Sequence, residues 1–137
     1  MRIVLDTNCL IQIISPHSEY HDVWLSLTKG QNVLCISNEI IEEYVEILER
    51  LFNHSFAEAV VKTIVNSPFL EYVAPFYKFE LIKSDPDDNK FVDCAFAAGA
   101  DYLVSEDSHF NVLRTTFFPK LNLVTLDEFM QTRIIKE

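Results

Sequence analysis

Hydrophobic residues fall in short blocks along this chain, each closed by polar or charged positions, and the blocks alternate between two periods. Ile3-Val-Leu5 and Val33-Leu-Cys-Ile36 lack polar alternation and read as central strands buried on both faces. Apolar residues at helical spacing predict helices over about 7–14, closed by Ser15-Pro16, and about 18–28, carrying Val23, Trp24 and Leu27 and ending near Lys29-Gly30. A longer helix over about 38–52 takes Ser37 as its N-cap. Ser55-Phe-Ala-Glu58 has the form of a capping box opening a helix to about 66, halted before Pro68. Phe69 to Ile82 reads as an aromatic, strand-like stretch broken at Pro75.

Ser84-Asp-Pro-Asp-Asp-Asn89 opens a helix running to about Ala98, with Asp85 at the N-cap and Pro86 at the first helical position. Tyr102-Leu-Val104 and Leu121-Asn-Leu-Val124 are further strands, and Thr125-Leu-Asp-Glu128 is a capping box for the last helix. Strands separated by helices predict the α/β class, a parallel sheet with helices on both faces. No linker or low-complexity segment divides residues 1–137, so one domain is expected, long enough to bury a sizeable core.

Composition narrows the chemistry. Only two glycines occur, Gly30 and Gly99, and neither a G-x-x-x-x-G-K-[ST] nor a G-x-G-x-x-G pattern is present, so a phosphate-cradling loop has no support. Cys9, Cys35 and Cys94 are odd in number and each lies in an apolar stretch, which predicts buried, reduced thiols. Asp6 interrupts the position a signal peptide would keep apolar, and no segment approaches a membrane span, so a cytoplasmic, soluble protein is expected. The net charge of −10 opposes the basic footprint usual for nucleic-acid binding, yet a cluster of carboxylates built to hold a divalent cation produces the same figure. Placement has to separate the two.

The first strand ends abruptly in Asp6-Thr7-Asn8. A carboxylate there costs desolvation unless something pairs with it, and ligand sites in open α/β sheets lie outside the carboxyl ends of strands. Asp6 is either a metal ligand or a cap for the following helix. In the helix at 38–52 the apolar stripe is Ile40, Ile41, Tyr44, Ile47, Leu48 and Leu51, and Glu43 flanks it at roughly 100° from its centre. Glu39, Glu42, Glu46 and Glu49 lie further round, so Glu43 is the acid best placed to reach a cleft; the alternative is a solvated acidic face with Glu46–Arg50 as a pair one turn apart. Asp88 aligns with the stripe of Phe91, Val92, Ala95 and Phe96, whereas Asp87 and Asp93 project elsewhere; the alternative is that Asp87 and Asp88 only favour the helix dipole. Ser105 and Asp107 follow the strand at Tyr102–Val104 as Asp6 follows the first strand. Carboxylates converging from two strand ends and two helix edges call for a hard cation, Mg²⁺ or Mn²⁺.

With these residues in hand, the chain resembles PIN-domain ribonucleases. The resemblance rests on Leu5-Asp6-Thr7-Asn8, Ser37-Asn-Glu-Ile-Ile-Glu-Glu43-Tyr-Val-Glu-Ile-Leu-Glu-Arg50, Asp85-Pro-Asp-Asp88-Asn-Lys-Phe-Val-Asp-Cys-Ala95 and Ala100-Asp-Tyr-Leu-Val-Ser105-Glu-Asp107. The pattern is most similar to the subgroup of toxin components of toxin–antitoxin pairs, the VapC type. The resemblance implies a PIN-like three-layer α/β/α fold with a central parallel sheet of four to five strands. It implies a metal-dependent endoribonuclease in which Asp6, Glu43, Asp88 and Asp107 are the catalytic and metal-binding acids, with Mg²⁺ or Mn²⁺ as cofactor. Asn8 and Ser105 become supporting or substrate-positioning groups, and Lys90 and Arg50 the cations near the site. Glu106, where relatives often carry a basic or small residue, adds negative charge near the scissile phosphate. RNA as substrate, a cognate antitoxin protein and homodimerisation are further implications, with no membrane partner.

Two other readings stand beside this one. A catalytically weak PIN module would bind RNA or protein without cleaving. An aspartyl-phosphate phosphohydrolase would use Asp6 as a nucleophile, but that chemistry usually wants a second Asp two residues on, where this chain has Asn8. His17 and His21 have the spacing of zinc ligands but no third ligand, which favours surface histidines. His109 reads as a loop residue or a contact to a substrate phosphate. Phe69, Tyr72, Phe76, Tyr77 and Phe79 read as core or dimer surface in preference to a base-stacking platform.

Overall fold

The computed structural model describes residues 1–131. Strand β1 (Arg2–Leu5) is the apolar opening block, and Ile3, Val4 and Leu5 are inaccessible to solvent because strands cover both of its edges. Helix α1 (Thr7–Ile14) and helix α2 (His21–Thr28) follow, then β2 (Val33–Ile36), helix α3 (Asn38–Leu51), helix α4 (His54–Val65) and a two-residue β3 (Glu71–Tyr72). A 3₁₀ turn (Pro86–Asp88) leads into α5 (Asn89–Ala98), then β4 (Tyr102–Val104), a 3₁₀ helix (Ser108–Arg114), β5 (Leu123–Val124) and α6 (Leu126–Phe129). The later course of the last helix lies outside the described residues.

All five strands are parallel and run in the order β3-β2-β1-β4-β5. This is the expected α/β architecture, a parallel sheet flanked by helices. The chain winds outward from β1 through β2 to β3, then returns to the far side of β1 to lay down β4 and β5. The winding therefore reverses between β1 and β4, and their carboxyl ends mark the switch point at which ligands bind in sheets of this kind. Leu5 registers with Val104, and the Asp6 N–H donates to the Val104 carbonyl at 3.0 Å, so the residues leaving these two strands emerge side by side.

Helices close over this sheet where their stripes predict. Ile40, Tyr44 and Leu48 of α3 are fully buried, but Leu51 is half exposed, so the buried stripe is narrower than the sequence pattern. Phe91, Val92, Ala95 and Ala98 of α5 pack across β1, β2 and β4. Gly99 ends α5 in the left-handed region at φ 59°, a conformation a side chain would disfavour. All three cysteines are buried and free, as expected. Among the described residues no helix is long and apolar enough to cross a membrane.

Several expected boundaries move for local reasons. Helix α2 begins at His21, after turns at Ser15–Tyr20, and not near residue 18. The cap of α4 is Asn53, whose Oδ1 accepts from Phe56 N at 2.8 Å; Ser55 lies inside the helix and caps nothing. Asp85 makes no side-chain cap, and the helix start is a 3₁₀ turn before α5 proper. Residues 121–122 stay outside β5.

The largest correction concerns Phe69–Ile82. Only Glu71 and Tyr72 pair with β2, and beyond Val73 the chain continues without a ladder, with Glu80 in the left-handed region at φ 54°. Its backbone is held instead by side chains of α5: Asp93 accepts from Phe79 N at 3.1 Å, and Asn89 bridges the N–H and carbonyl of Ile82 at 2.9 and 3.0 Å. Backbone groups that lose sheet partners must find others, and here polar residues within α5 supply them. Phe76 and Tyr77 are largely exposed, so this aromatic group is not core.

The phenol of Tyr44, fully buried, donates to the Leu5 carbonyl at 2.6 Å and so ties α3 to the last residue of β1. Tyr44→Phe is expected to destabilise the fold by about 1–2 kcal/mol, because a buried carbonyl loses its partner. Urea unfolding at equilibrium checks this; an unchanged midpoint would show that the bond is dispensable.

Candidate functional site

The reversal point between β1 and β4 is where the acidic residues gather. Asp6 leaves β1 buried, at 5% exposure. Its Oδ1 accepts from Thr7 N at 2.7 Å, which makes it the cap of α1, and its Oδ2 accepts from the Ser105 hydroxyl at 2.9 Å. Ser105, itself buried at the end of β4, accepts in turn from Asp107 N at 3.0 Å. One hydroxyl thus joins the two strand ends and sets Asp107 beside Asp6. Asp6 is a helix cap, as one of its two readings has it, and also lies in an acidic group.

Glu43 enters from α3 at the angle its helical position predicts. Its Oε2 accepts a short hydrogen bond from the Thr7 hydroxyl, and its Oε1 lies 2.7 Å from the Lys90 ammonium. Lys90, in the first turn of α5 and only 10% exposed, also reaches Asp87 at 3.1 Å. Burial disfavours its charge, but Glu43 and Asp87 outweigh that effect and hold the ammonium above its usual range.

Asp88 is carried by the 3₁₀ turn before α5 and is 9% exposed, while Asp87 beside it faces solvent. Its Oδ2 is buried and makes no hydrogen bond. His109 Nδ1 approaches it at 3.5 Å and lies 3.2 Å from Asp107 Oδ1 and 3.8 Å from Asp85 Oδ2. The ligand atoms of Asp85, Asp88 and His109 all fall within 4.8 Å of one another.

Asp6, Glu43, Asp88, Asp107, Ser105 and Lys90 thus gather at one end of the sheet, but among the described residues the three potential ligands whose atoms come within 4.8 Å of one another are Asp85, Asp88 and His109, of which only Asp88 belongs to the predicted quartet. Asn8 is exposed on the first turn of α1 and joins none of these bonds. Arg50 lies exposed nearly two turns beyond Glu43, about 10 Å along the helix, outside the cluster and unpaired with Glu46 among the described residues. Glu106 does not face the acids: its carboxylate accepts from Leu126 N at 3.4 Å, at the start of α6. His21 binds the Ile13 carbonyl at 2.9 Å and takes no part in a metal-capable group. Thr7, Asp85 and His109 are the residues sequence reasoning missed as members of the cluster. Thr7 stands beside Asp6 in the strand-end motif, which was the available signal; His109 sits two residues past Asp107.

The donor set suits a hard divalent cation. Carboxylate oxygens dominate, no thiolate competes, and the buried Asp88 Oδ2 lacks a partner. Among the described residues, no lysine or arginine pairs with Asp6, Asp88 or Asp107.

A family model described as PIN domain matches residues 2–109 of this chain. No curated protein matches. Among solved structures, the fold is similar to VapBC2 from Rickettsia felis bound to a DNA fragment from their promoter, with a TM-score of 0.63 at 20% identity, covering 91% of this chain and 98% of that one. VapBC-1 from nontypeable Haemophilus influenzae gives 0.61 at 13% identity, covering 93% and 99%. DNA-bound VapBC from Salmonella typhimurium gives 0.57 at 17%, covering 92% and 98%. At these identities the likeness is one of fold.

Burial shifts two of these acids in one direction. Burial pushes the Asp6 carboxyl up to about 6, against the hydrogen bonds from Ser105 and Thr7, with the charges of Glu43 and Asp107 adding to the rise. Burial likewise pushes Asp88 up to about 7, helped by Asp6, Asp85 and Asp107 and opposed by His109. An unfolded aspartate titrates near 4, so between about pH 4 and pH 7 the folded protein holds more protons than the unfolded one. Stability from these groups is then complete below about pH 4 and is lost as pH rises through about 7. The Tm of the metal-free protein is expected to fall across this range, and Asp88→Asn to flatten the fall and raise Tm at pH 8. Thermal melts of both proteins from pH 5 to 8 check this; parallel curves would count against it.

Proposed function

This chain belongs to the PIN-domain family, and we propose that it acts within it as a metal-dependent endoribonuclease, the toxin of a toxin–antitoxin pair. The observation that carries the reading is the Asp6–Ser105–Asp107 link with the unpartnered Asp88 Oδ2 beside it. Carboxylates gathered and desolvated without a protein cation are costly, and a divalent ion removes that cost. Asp6, Asp88 and Asp107 would hold Mg²⁺ or Mn²⁺, with Glu43 completing the set. When bound, such an ion supplies a water of lowered pKa and stabilises charge building on a phosphate.

The chain's own residues supply the rest. Thr7 N and the Ser105 hydroxyl fix both oxygens of Asp6, so its remaining lone pairs aim in a set direction. Thr7 and Lys90 hold Glu43 in place. The Lys90 ammonium is the nearest fixed positive charge for a phosphodiester approaching the acids. Single-stranded or looped RNA is the substrate favoured, because its backbone can enter a carboxylate cleft. The VapBC assemblies that share the fold support a protein antitoxin as partner. A single-domain, cytoplasmic homodimer is part of the same proposal.

One observation favours a second reading. Glu43 is already neutralised by Lys90 at 2.7 Å, which suits a module with weakened metal affinity that binds RNA or protein without cleaving it. Divalent-ion binding separates the two.

On the nuclease reading, Asp6→Asn is expected to lower Mg²⁺- or Mn²⁺-dependent RNA cleavage by about 100-fold or more while the circular dichroism spectrum stays native. Wild-type cleavage should leave 5′-phosphate ends and stop with chelator. Full activity in Asp6→Asn would sink the assignment.

A further inference from the structure

His109 is placed by Asp107, whose Oδ1 accepts from His109 N at 2.9 Å and starts the 3₁₀ helix at Ser108. That turn brings the imidazole back over the acids. Its Nδ1 is enclosed from solvent and makes no hydrogen bond, although carboxylate oxygens of Asp107, Asp88 and Asp85 stand at 3.2, 3.5 and 3.8 Å. The Asp88 Oδ2 facing it is also buried and unpartnered, on a residue only 9% exposed. Both atoms are thus withdrawn from water and turned toward the same group of carboxylate oxygens without a partner, an arrangement that a cation held between them satisfies. The spacing agrees. Around an octahedral ion with bonds near 2.1 Å, adjacent donors stand about 3 Å apart and opposite ones about 4.2 Å, and His109 Nδ1 stands 3.5 Å from Asp88 Oδ2 and 3.8 Å from Asp85 Oδ2, between those limits.

We propose that His109 Nδ1 and the carboxylates of Asp85 and Asp88 ligate a divalent transition-metal ion, making a mixed nitrogen–oxygen centre that prefers Mn²⁺ to Mg²⁺. The inference rests on the metal-dependent reading above and deepens it, adding two ligands outside the acidic quartet. Imidazole is a good ligand for transition metals, whereas Mg²⁺ takes oxygen and water. The other histidines cannot supply the nitrogen: His21 binds the Ile13 carbonyl, His54 sits between Glu49 and Glu58 on the surface, and His17 is exposed at the Ser15 turn.

The test uses the metal-free full chain titrated separately with Mn²⁺ and Mg²⁺, with pulsed electron paramagnetic resonance on the Mn²⁺-loaded protein. Wild type is expected to show ¹⁴N coupling to the bound Mn²⁺. His109→Ala should lose that coupling and bind Mn²⁺ roughly tenfold more weakly, with a smaller change for Mg²⁺. Asp85→Asn should weaken Mn²⁺ binding and keep the nitrogen signal, which gives a second variant if His109→Ala folds poorly. Mn²⁺ bound without ¹⁴N coupling, or coupling and affinity that survive His109→Ala, would overturn the assignment while leaving a carboxylate centre intact. Wild type that binds no Mn²⁺ would overturn both this and the metal-dependent reading. Nitrogen coupling in a protein that does not cleave RNA would uphold the ligand set and remove the nuclease reading alone.

Discussion

The parallel pairing of β1 with β4 is the constraint on which the rest depends. It places the winding reversal at the middle of the sheet, and it puts Leu5 opposite Val104, so that Asp6 and Ser105 leave the sheet as neighbours. Three contacts lock the junction: Asp6 N–H to the Val104 carbonyl, the Ser105 hydroxyl to Asp6, and Tyr44 to the Leu5 carbonyl. The first belongs to the sheet, the second to the acidic cluster and the third to the packing of α3. The elements that deliver Asp6, Glu43 and Asp107 are thereby positioned from the same few residues.

The cluster divides into halves that are neutralised differently. Glu43 has its compensation built in, through Thr7 and the largely buried ammonium of Lys90. Asp6, Asp88 and Asp107 have only hydrogen-bond donors of neutral groups and a histidine at 3.2 to 3.5 Å from two of them. Asp6 and Asp88 are pushed up in pKa because each is withdrawn from water without an adjacent fixed cation. The asymmetry locates where an added ion changes the energy most, on the side of the β-strand ends and away from α3.

Much of this was legible in the chain because it depends on local periodicity. The apolar run before Asp6 marks a strand end, the 100° step of a helix singles out Glu43 among its acidic neighbours, and the alignment of Asp88 with Phe91 and Val92 separates it from Asp87. What was not legible depends on partners distant in sequence. Thr7 looks like a helix start; that its hydroxyl meets Glu43 follows from how α1 packs on α3. The Phe69–Ile82 stretch has strand composition, but Asn89 and Asp93 took up its backbone groups past Tyr72. His109 lies where no period applies, and Arg50, a cation on the right helix, sits too far along it.

The net charge of −10 takes on a different meaning from this geometry. An acidic protein repels a polyanion at long range, and screening removes that repulsion beyond roughly 10 Å at moderate salt. What remains at contact is the local field of the carboxylates, most of which a bound divalent ion neutralises. On the proposed reading, affinity for RNA is therefore conditional on the ion in a way it is not for a basic nuclease. The metal, beyond supplying chemistry, would be required for the substrate to approach the acids at all. A basic peptide needs no such ion, so the same surface would favour a cationic protein partner when metal is absent and a phosphodiester when it is present.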